Sequence, residues 1–154
     1  MSQVSSLGDG ARVHDISVVV PVYSGTDTLG PLVEELLDYA GIRTTEGGSQ
    51  FRIDEIILVW DHGPGHADQT IRELASKHEI VQVVWLSRNF GQHPATLAGM
   101  TASSGTWIVT LDEDGQQDPR FIGSLLDTAL SNHSQLVYAD PDDSVPHGEI
   151  GRAH

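Results

Sequence analysis

The chain has 154 residues, 38% of them hydrophobic and 19% charged, with 8 Lys and Arg against 22 Asp and Glu and no cysteine. The composition is typical of one soluble globular domain and excludes disulfides, thiolate catalysis and zinc–sulfur sites. A formal net charge of −14 argues against nucleic acid as a partner, because phosphate backbones are bound by basic patches. No apolar run approaches the ~20 residues of a membrane span, and residues 1–15 have no apolar signal core, so we expect a cytoplasmic protein.

Strand and helix patterns alternate after a polar, flexible lead over residues 1–15. Continuous β-branched or apolar runs predict buried strands, and apolar residues at i, i+3, i+4 and i+7 predict helices between them. This alternation predicts the α/β class, with a mainly parallel sheet covered by helices on both faces, in one domain over residues 16–140. Residues 141–154 lack periodicity and predict an irregular tail, so the sheet would stop after about its fifth strand. The predicted strands are 16–23, 53–60, 81–86, 106–111 and 136–139, and the predicted helices start near residues 29, 68, 94 and 118.

A pair of aspartates follows the fourth predicted strand. The apolar run 107–111 leads directly into Asp112, Glu113 and Asp114. If the chain stays extended, Asp112 and Asp114 lean to the same side. Two neighbouring carboxylates repel each other unless a cation lies near them, and hard oxygen ligands suit Mg²⁺ or Mn²⁺ with open positions for phosphate oxygens. The pattern therefore predicts a metal–diphosphate site at the carboxyl edge of the sheet.

Four predicted loops leave the carboxyl ends of strands, where open α/β sheets bind ligands. They span residues 21–27, 61–68, 88–93 and 112–118, and the third offers a cation, Arg88, as a possible diphosphate partner. Neither G-x-G-x-x-G nor G-x-x-x-x-G-K-[ST] occurs, which excludes the common dinucleotide and P-loop sites. The remaining interpretation is a site for a nucleotide whose phosphates are held by a metal ion.

Four segments in chain order resemble a known family. They are PVYSG, Asp61 after the second strand, SRNFGQHPATLAGM and LDEDGQQDP. They look like P-x-Y-N-E, V-D-D-G-S, RNFGQ-x-x-A-x-x-A-G and D-A-D-L-Q-x-P of inverting family-2 glycosyltransferases. The similarity is greatest to polyprenyl-phosphate glycosyltransferases of the dolichol-phosphate mannose synthase type, and it covers residues 16–140. It implies the nucleotide-binding half of a GT-A fold, a Rossmann-like three-layer sandwich.

The resemblance also implies site residues, a cofactor and a reaction. Asp112 would lie near the sugar and diphosphate, Asp114 would bind Mg²⁺ or Mn²⁺ beside it, and Gln116 matches the glutamine after the D-x-D. The base and ribose pocket would be lined by Pro21, Tyr23, Val59 and Asp61. The implied reaction transfers a sugar from a UDP- or GDP-sugar to a lipid phosphate acceptor, a polyprenyl phosphate, with a full-length form at the cytoplasmic membrane face.

The sequence departs from the family at several places. Ser24-Gly25 replaces Asn-Glu and removes a carboxylate, Trp60 replaces an aspartate, and Gly115 stands where leucine is usual. Family members continue with an acceptor-binding half, so this chain is expected to be truncated or to encode only the donor half. We expect it to bind donor, to transfer little sugar alone, and to self-associate through the uncovered acceptor-side face.

Two other interpretations stay open at this point. The chain could be a non-catalytic remnant that binds nucleotide weakly and acts through partners, as the departures at Gly25 and Trp60 suggest. Alternatively, Asp112 to Gly115 also reads D-x-D-G, the pattern of haloacid-dehalogenase-type phosphatases, in which Asp112 would be the nucleophile. Gln116 counts against that second alternative, because threonine, valine or serine is expected there.

Overall fold

Seven strands and four helices make up the part of the chain that the computed structural model describes, residues 12–114, 117–138 and 149–152. The strands are β1 (Val13–Val22), β2 (Arg43–Thr44), β3 (Gln50–Trp60), β4 (Val81–Trp85), β5 (Trp107–Thr110), β6 (Leu136–Tyr138) and β7 (Glu149–Arg152). The helices are α1 (Leu29–Leu37), α2 (Ala67–Lys77), α3 (Gln92–Ala102) and α4 (Phe121–Ser131). Over these residues, no helix is long and apolar enough to cross a bilayer.

The sheet is mostly parallel, as predicted. Its order is β2-β3-β1-β5-β7-β6. β4 pairs with residues 56–60 of β3, on the same edge of β3 where the short β2 pairs with residues 50–51. β1 pairs in parallel with β3 on one side and with β5 on the other, so strand order reverses at β1. β4 also runs parallel to β3, whereas β2 and β7 are antiparallel to their neighbours. The carboxyl ends of β1, β3, β4 and β5 therefore meet at one edge.

Helices pack on both faces of this sheet and give three layers. One core cluster joins the strands to α1, α2 and α4 through residues such as Leu36, Ile71 and Leu126. A smaller cluster on the other face joins Val19 and Val59 to α3. Burial on both faces explains why β1 and β3 read as continuous apolar runs rather than alternating ones.

Both ends of the predicted domain differ from the structure. β1 begins at Val13, inside the predicted flexible lead, because His14 is buried and its Nδ1 accepts a bond from Trp107 Nε1 (3.3 Å). The predicted irregular tail was wrong for residues 149–152, which form β7 between β5 and β6. Its sequence, EIGR, has Ile150 as its one apolar side chain, and its antiparallel pairing with β5 is a tertiary effect. The sheet therefore extends past the predicted fifth strand.

Gly99 sets the distance between α3 and the sheet. A Cβ at this position would lie 2.4 Å from Val19 Cγ1 and 2.9 Å from Val59 Cγ2. Gly99→Ala should therefore lower the free energy of unfolding, since overpacking a core costs about 1–3 kcal/mol and outweighs the ~1 kcal/mol gain in helix propensity. Chemical denaturation would measure the change.

Gly30 in α1 is the matched control, because nothing lies within 4 Å of a Cβ built there. Gly30→Ala should be neutral or stabilising by up to ~1 kcal/mol. Equal effects of the two substitutions would contradict the close packing of α3.

Candidate functional site

A cavity of about 460 Å³ opens at the carboxyl edge of the sheet, where strand order reverses. All four loops predicted to meet at this edge contribute to its wall. The lining residues are Pro21, Val22, Tyr23, Asp61, Asn89, Gly91, Gln92, Asp112, Glu113 and Asp114.

The cavity begins where two strands stop pairing. β1 and β3 pair as far as Val22 and Trp60, but the β1–β5 ladder ends at Val19 and Thr110. Val19 O accepts from Leu111 N, so alternate residues of β1 face β5, and Pro21 faces β5 beyond the end of the ladder. Because β5 no longer pairs with β1 at this position, the N–H group that proline lacks would have no ladder partner there. The strands diverge after this point, which leaves room for a ligand.

Glu113 turns the chain after β5 and fastens it to the β1–α1 loop. Its carboxylate accepts hydrogen bonds from the backbone N–H groups of Tyr23, Ser24 and Gly25 at 2.8–2.9 Å. Thr28 Oγ1 also donates to Glu113 O at 2.6 Å. The chain does not stay extended through Asp112 and Asp114, because residues 113–114 form a turn beside this loop.

Asp112 is fixed from two sides. Its backbone N–H donates to Oε1 of the buried Gln117 side chain at 2.5 Å, and its Oδ1 accepts from Gln92 Nε2 at 2.8 Å. Gln92 is the first residue of α3, so this bond links the β5 loop to that helix. Asp112 is half-buried at the cavity wall, and Asp114 is exposed beside it.

Asp61 organises the loop that precedes α3. The residue is 3% exposed, and its two carboxylate oxygens accept from Phe90 N (2.8 Å) and Gly91 N (3.1 Å). Asn89 Nδ2 donates to Asp61 O at 2.7 Å. The carboxylate of Asp61 thus holds the 88–91 loop in place as well as lining the cavity.

The turn after Asp61 lies against the end of β1. A Cβ at Gly63 would come within 1.8 Å of Tyr23 O, so only glycine fits there. The V-D-D-G-S motif that this turn resembles has glycine after its second aspartate, and here His62 takes that position with φ 51°, in the left-handed region. Its Nε2 contacts Leu86 O, and its ring lies 5.6 Å from that of Trp60, which anchors it in this conformation.

The structure brings together most of the residues predicted for the site. Pro21, Tyr23, Asp61, Asp112 and Asp114 all line the cavity, and Tyr23 is 49% exposed.

Three predicted residues lie elsewhere or are not described. Val59 is fully buried beneath α3 and is not among the lining residues. Arg88 is exposed, with its guanidinium 4.0 Å from the Phe90 ring centroid, and it does not line the cavity either. Gln116 falls outside the described residues.

Sequence reasoning missed four side chains of the wall, that of the apolar Val22 and those of the polar Asn89, Gln92 and Glu113. Asn89 and Gln92 stand within the quoted RNFGQ string, which was the available signal for them. Glu113 was treated as the spacer of a D-x-D, so nothing in the pattern marked it.

The cavity is acidic. Four of the described lining residues carry carboxyl groups and none is Lys or Arg. Arg120 lines a separate pocket and pairs with Asp118 (Nη2–Oδ2 2.6 Å), and this hydrogen-bonded ion pair holds the pKa of Asp118 below its usual value. A diphosphate would therefore need a cation bound with it.

The donor set fits a divalent ion that arrives with phosphate. Across residues 12–114, 117–138 and 149–152, no cluster of three or more His, Asp or Glu side chains could hold a metal alone. Mg²⁺ and similar ions usually take one or two carboxylates and complete their shell with water and phosphate oxygens. Asp112 and Asp114 supply that number of carboxylates at the cavity wall.

Curated relatives align with most of this chain. Undecaprenyl-phosphate 4-deoxy-4-formamido-L-arabinose transferase of Edwardsiella ictaluri is 33% identical over 124 residues, covering 80% of this chain and 36% of its own length. The same-named enzyme of Pectobacterium carotovorum is 36% identical over 138 residues, covering 86% and 39%. The chain thus spans well under half the length of the curated relatives it matches.

Solved structures share the fold. The mannosyltransferase PcManGT of Pyrobaculum calidifontis, in complex with GDP-Man and Mn²⁺, superposes with a TM-score of 0.71 at 12% identity, over 94% of this chain and 46% of that one. TarS 1–349 of S. aureus gives 0.58 at 20% identity, over 79% and 34%. The sheet with helices on both faces is accordingly the GT-A arrangement. The family model described as glycosyl transferase family 2 matches residues 17–150, and the chain belongs to that family.

Proposed function

We propose that this chain is the donor-binding domain of a glycosyltransferase and binds a nucleoside diphosphate sugar together with Mg²⁺ or Mn²⁺. The observation that carries the proposal is the acidic cavity at the carboxyl edge, where two aspartates lie beside loops with free space and no lining cation among the described residues. Membership of glycosyl transferase family 2 favours this function over a phosphatase that uses Asp112 as nucleophile.

Each part of the cavity suits one part of the donor. Asp112 and Asp114 would hold the ion, whose positive charge would offset charge on the departing diphosphate. Tyr23 exposes a ring at the end of β1, which suits stacking on a base, and the amides of Asn89 and Gln92 offer neutral donors to sugar or phosphate oxygens. The base, uracil or guanine, is left to experiment.

The acceptor proposed for the whole protein is a polyprenyl phosphate. The curated relatives are named for undecaprenyl phosphate, which supports this class of acceptor. A phosphate oxygen is already ionised at neutral pH, so its attack on the sugar needs no strong general base. The described cavity wall is consistent with that, since the carboxylates of Asp61 and Glu113 are engaged by backbone N–H groups.

Titration calorimetry with UDP and GDP, each with and without Mn²⁺, tests the donor proposal. We expect one nucleotide to bind in a metal-dependent manner. Asp114→Ala should weaken binding at least ~10-fold, because a charge-assisted contact is worth about 1.5–3 kcal/mol. Asp54→Ala is the matched control, since Asp54 is an exposed acidic residue of β3 and does not line the cavity.

Absence of binding by either nucleotide, with or without metal, would contradict the proposal. The non-catalytic remnant would then be the better account of the chain. Metal-independent binding that Asp114→Ala leaves unchanged would contradict the role of the aspartate pair.

Asp61→Asn tests whether the 88–91 loop depends on a carboxylate. The amide keeps one acceptor oxygen and directs an NH₂ group toward a backbone N–H, so Phe90 N or Gly91 N loses its partner. We expect stability to fall by about 1–3 kcal/mol and nucleotide binding to weaken as well. Denaturation and calorimetry on one sample would measure both.

Asp15→Asn is the control for this substitution. Asp15 forms a surface ion pair with Arg52, and its loss should cost less than ~1 kcal/mol. Unchanged stability in Asp61→Asn would show that the loop holds without the Asp61 carboxylate.

A further inference from the structure

The backbone of the β1–α1 loop forms an anion-binding concavity, and an internal side chain fills it. Three successive N–H groups, those of Tyr23, Ser24 and Gly25, point at the Glu113 carboxylate at 2.8–2.9 Å. Successive N–H groups that converge in this way bind anions strongly, and charged acceptors make the strongest bonds. Three charge-assisted hydrogen bonds therefore fix the Glu113 side chain, although a spacer residue between two aspartates requires none.

Gly25 is small because Glu113 occupies the space beside it. A Cβ at Gly25 would lie 2.7 Å from Glu113 Oε2 and 3.0 Å from Glu113 Cδ. The φ of Gly25 is not in the left-handed region, so its backbone conformation does not require glycine. The contact is steric, and a side chain at residue 25 would enter the volume that the Glu113 carboxylate now fills.

The same two positions differ together from the motifs that the sequence resembles. Those motifs place glutamate at the position of Gly25 and alanine at the position of Glu113. Here glycine and glutamate stand instead, so the carboxylate that the resemblance implies at residue 25 has a counterpart at residue 113, on the other side of one contact. The geometry explains the pairing, because one carboxylate fits between the two loops and two would clash.

We propose that Glu113 is a positioning residue that replaces the carboxylate missing at Gly25 and holds the metal-binding turn on the nucleotide loop. The inference rests on the proposed donor site. Its carboxylate binds the loop that carries Tyr23, its carbonyl accepts from Thr28 Oγ1, and its two chain neighbours are Asp112 and Asp114. Glu113 thereby fixes the aspartate pair relative to the base-binding end of β1.

The opposite role for Glu113 is inhibition. Its carboxylate could occupy a concavity that a donor phosphate needs, in which case removing it would strengthen binding. The two roles predict opposite changes in affinity, so one substitution separates them.

The experiment uses three variants of the full chain, Glu113→Ala, Gly25→Glu and the double variant. Hydrogen exchange of the Tyr23, Ser24 and Gly25 amides reports the contact without any ligand, and Mn²⁺-dependent UDP and GDP titrations report the site. Glu113→Ala should speed exchange of these amides and weaken nucleotide binding, each at least ~10-fold, the scale of a charge-assisted hydrogen bond. Glu73→Ala, on the exposed side of α2, is the control for loss of an acidic residue.

Rescue in the double variant distinguishes positioning from a merely structural contact. Gly25→Glu alone should weaken binding, because two carboxylates then compete for one space. Combined with Glu113→Ala, it should restore nucleotide affinity and amide protection to within about threefold of wild type, a residual of under ~1 kcal/mol.

Three results would overturn the inference: unchanged amide exchange in Glu113→Ala, tighter nucleotide binding in that variant, or a double variant no better than Glu113→Ala. Failure of the proposed function looks different. In that case wild type binds neither nucleotide, while the amides still respond to Glu113→Ala and recover in the double variant.

Discussion

Carboxylates bonded to backbone N–H groups hold the cavity of this protein together. Glu113 ties the loop after β5 to the loop after β1, and Asp61 ties the turn after β3 to the loop after β4. The Gln92–Asp112 bond then links one pair of loops to the other. A chain with 8 basic and 22 acidic residues has few cations for ion pairs, so backbone N–H groups serve as the positive partners. Such bonds also fix loop backbones directly, which flexible surface ion pairs do poorly.

This construction separates the acidic residues by task. The carboxylate oxygens of Asp61 and Glu113 accept backbone hydrogen bonds that hold the loops in place. Asp112 has one oxygen bonded to Gln92, and the exposed Asp114 lies at the rim. The wall thus offers the Asp112 and Asp114 carboxylates where a cation-bound diphosphate would lie, while the oxygens of Asp61 and Glu113 are engaged by backbone N–H groups. Under the proposed function, the same acidity that opposes a bare phosphate ligand would favour a ligand that brings its own cation to this cavity.

The fold was predictable because its core strands are buried on both faces and its helices carry one apolar stripe. β1, β3, β4 and β5 therefore appeared in the sequence within a few residues of their bounds, and so did the edge at which their loops meet. Two short strands were missed: β2 has two residues and pairs with the edge of β3, and β7 has four residues and pairs between β5 and β6, so both depend on antiparallel tertiary pairing. Trp85 lies in the predicted strand 81–86 yet is 45% exposed, because it ends the short strand β4, where the Arg72 guanidinium lies 4.9 Å from its ring centroid. Val59 was also misplaced from the sequence. The motif gives its position along β3 but does not show that its side chain is buried under α3.

The effect of a departure from a motif depends on the conformation and space that the new residue takes, and the residue type alone does not show it. His62 stands for a glycine and still adopts φ 51°, held there by Trp60 and Leu86, so the turn survives the substitution. Trp60 stands for an aspartate and is 8% exposed in the core, so it adds packing and leaves Asp61 as the carboxylate of that turn. Gly25 stands for a glutamate, and the carboxylate of Glu113 fills the space beside it. The three departures therefore keep the turn after β3 folded and keep one carboxylate beside residue 25, which supports the proposed donor site over a decayed one.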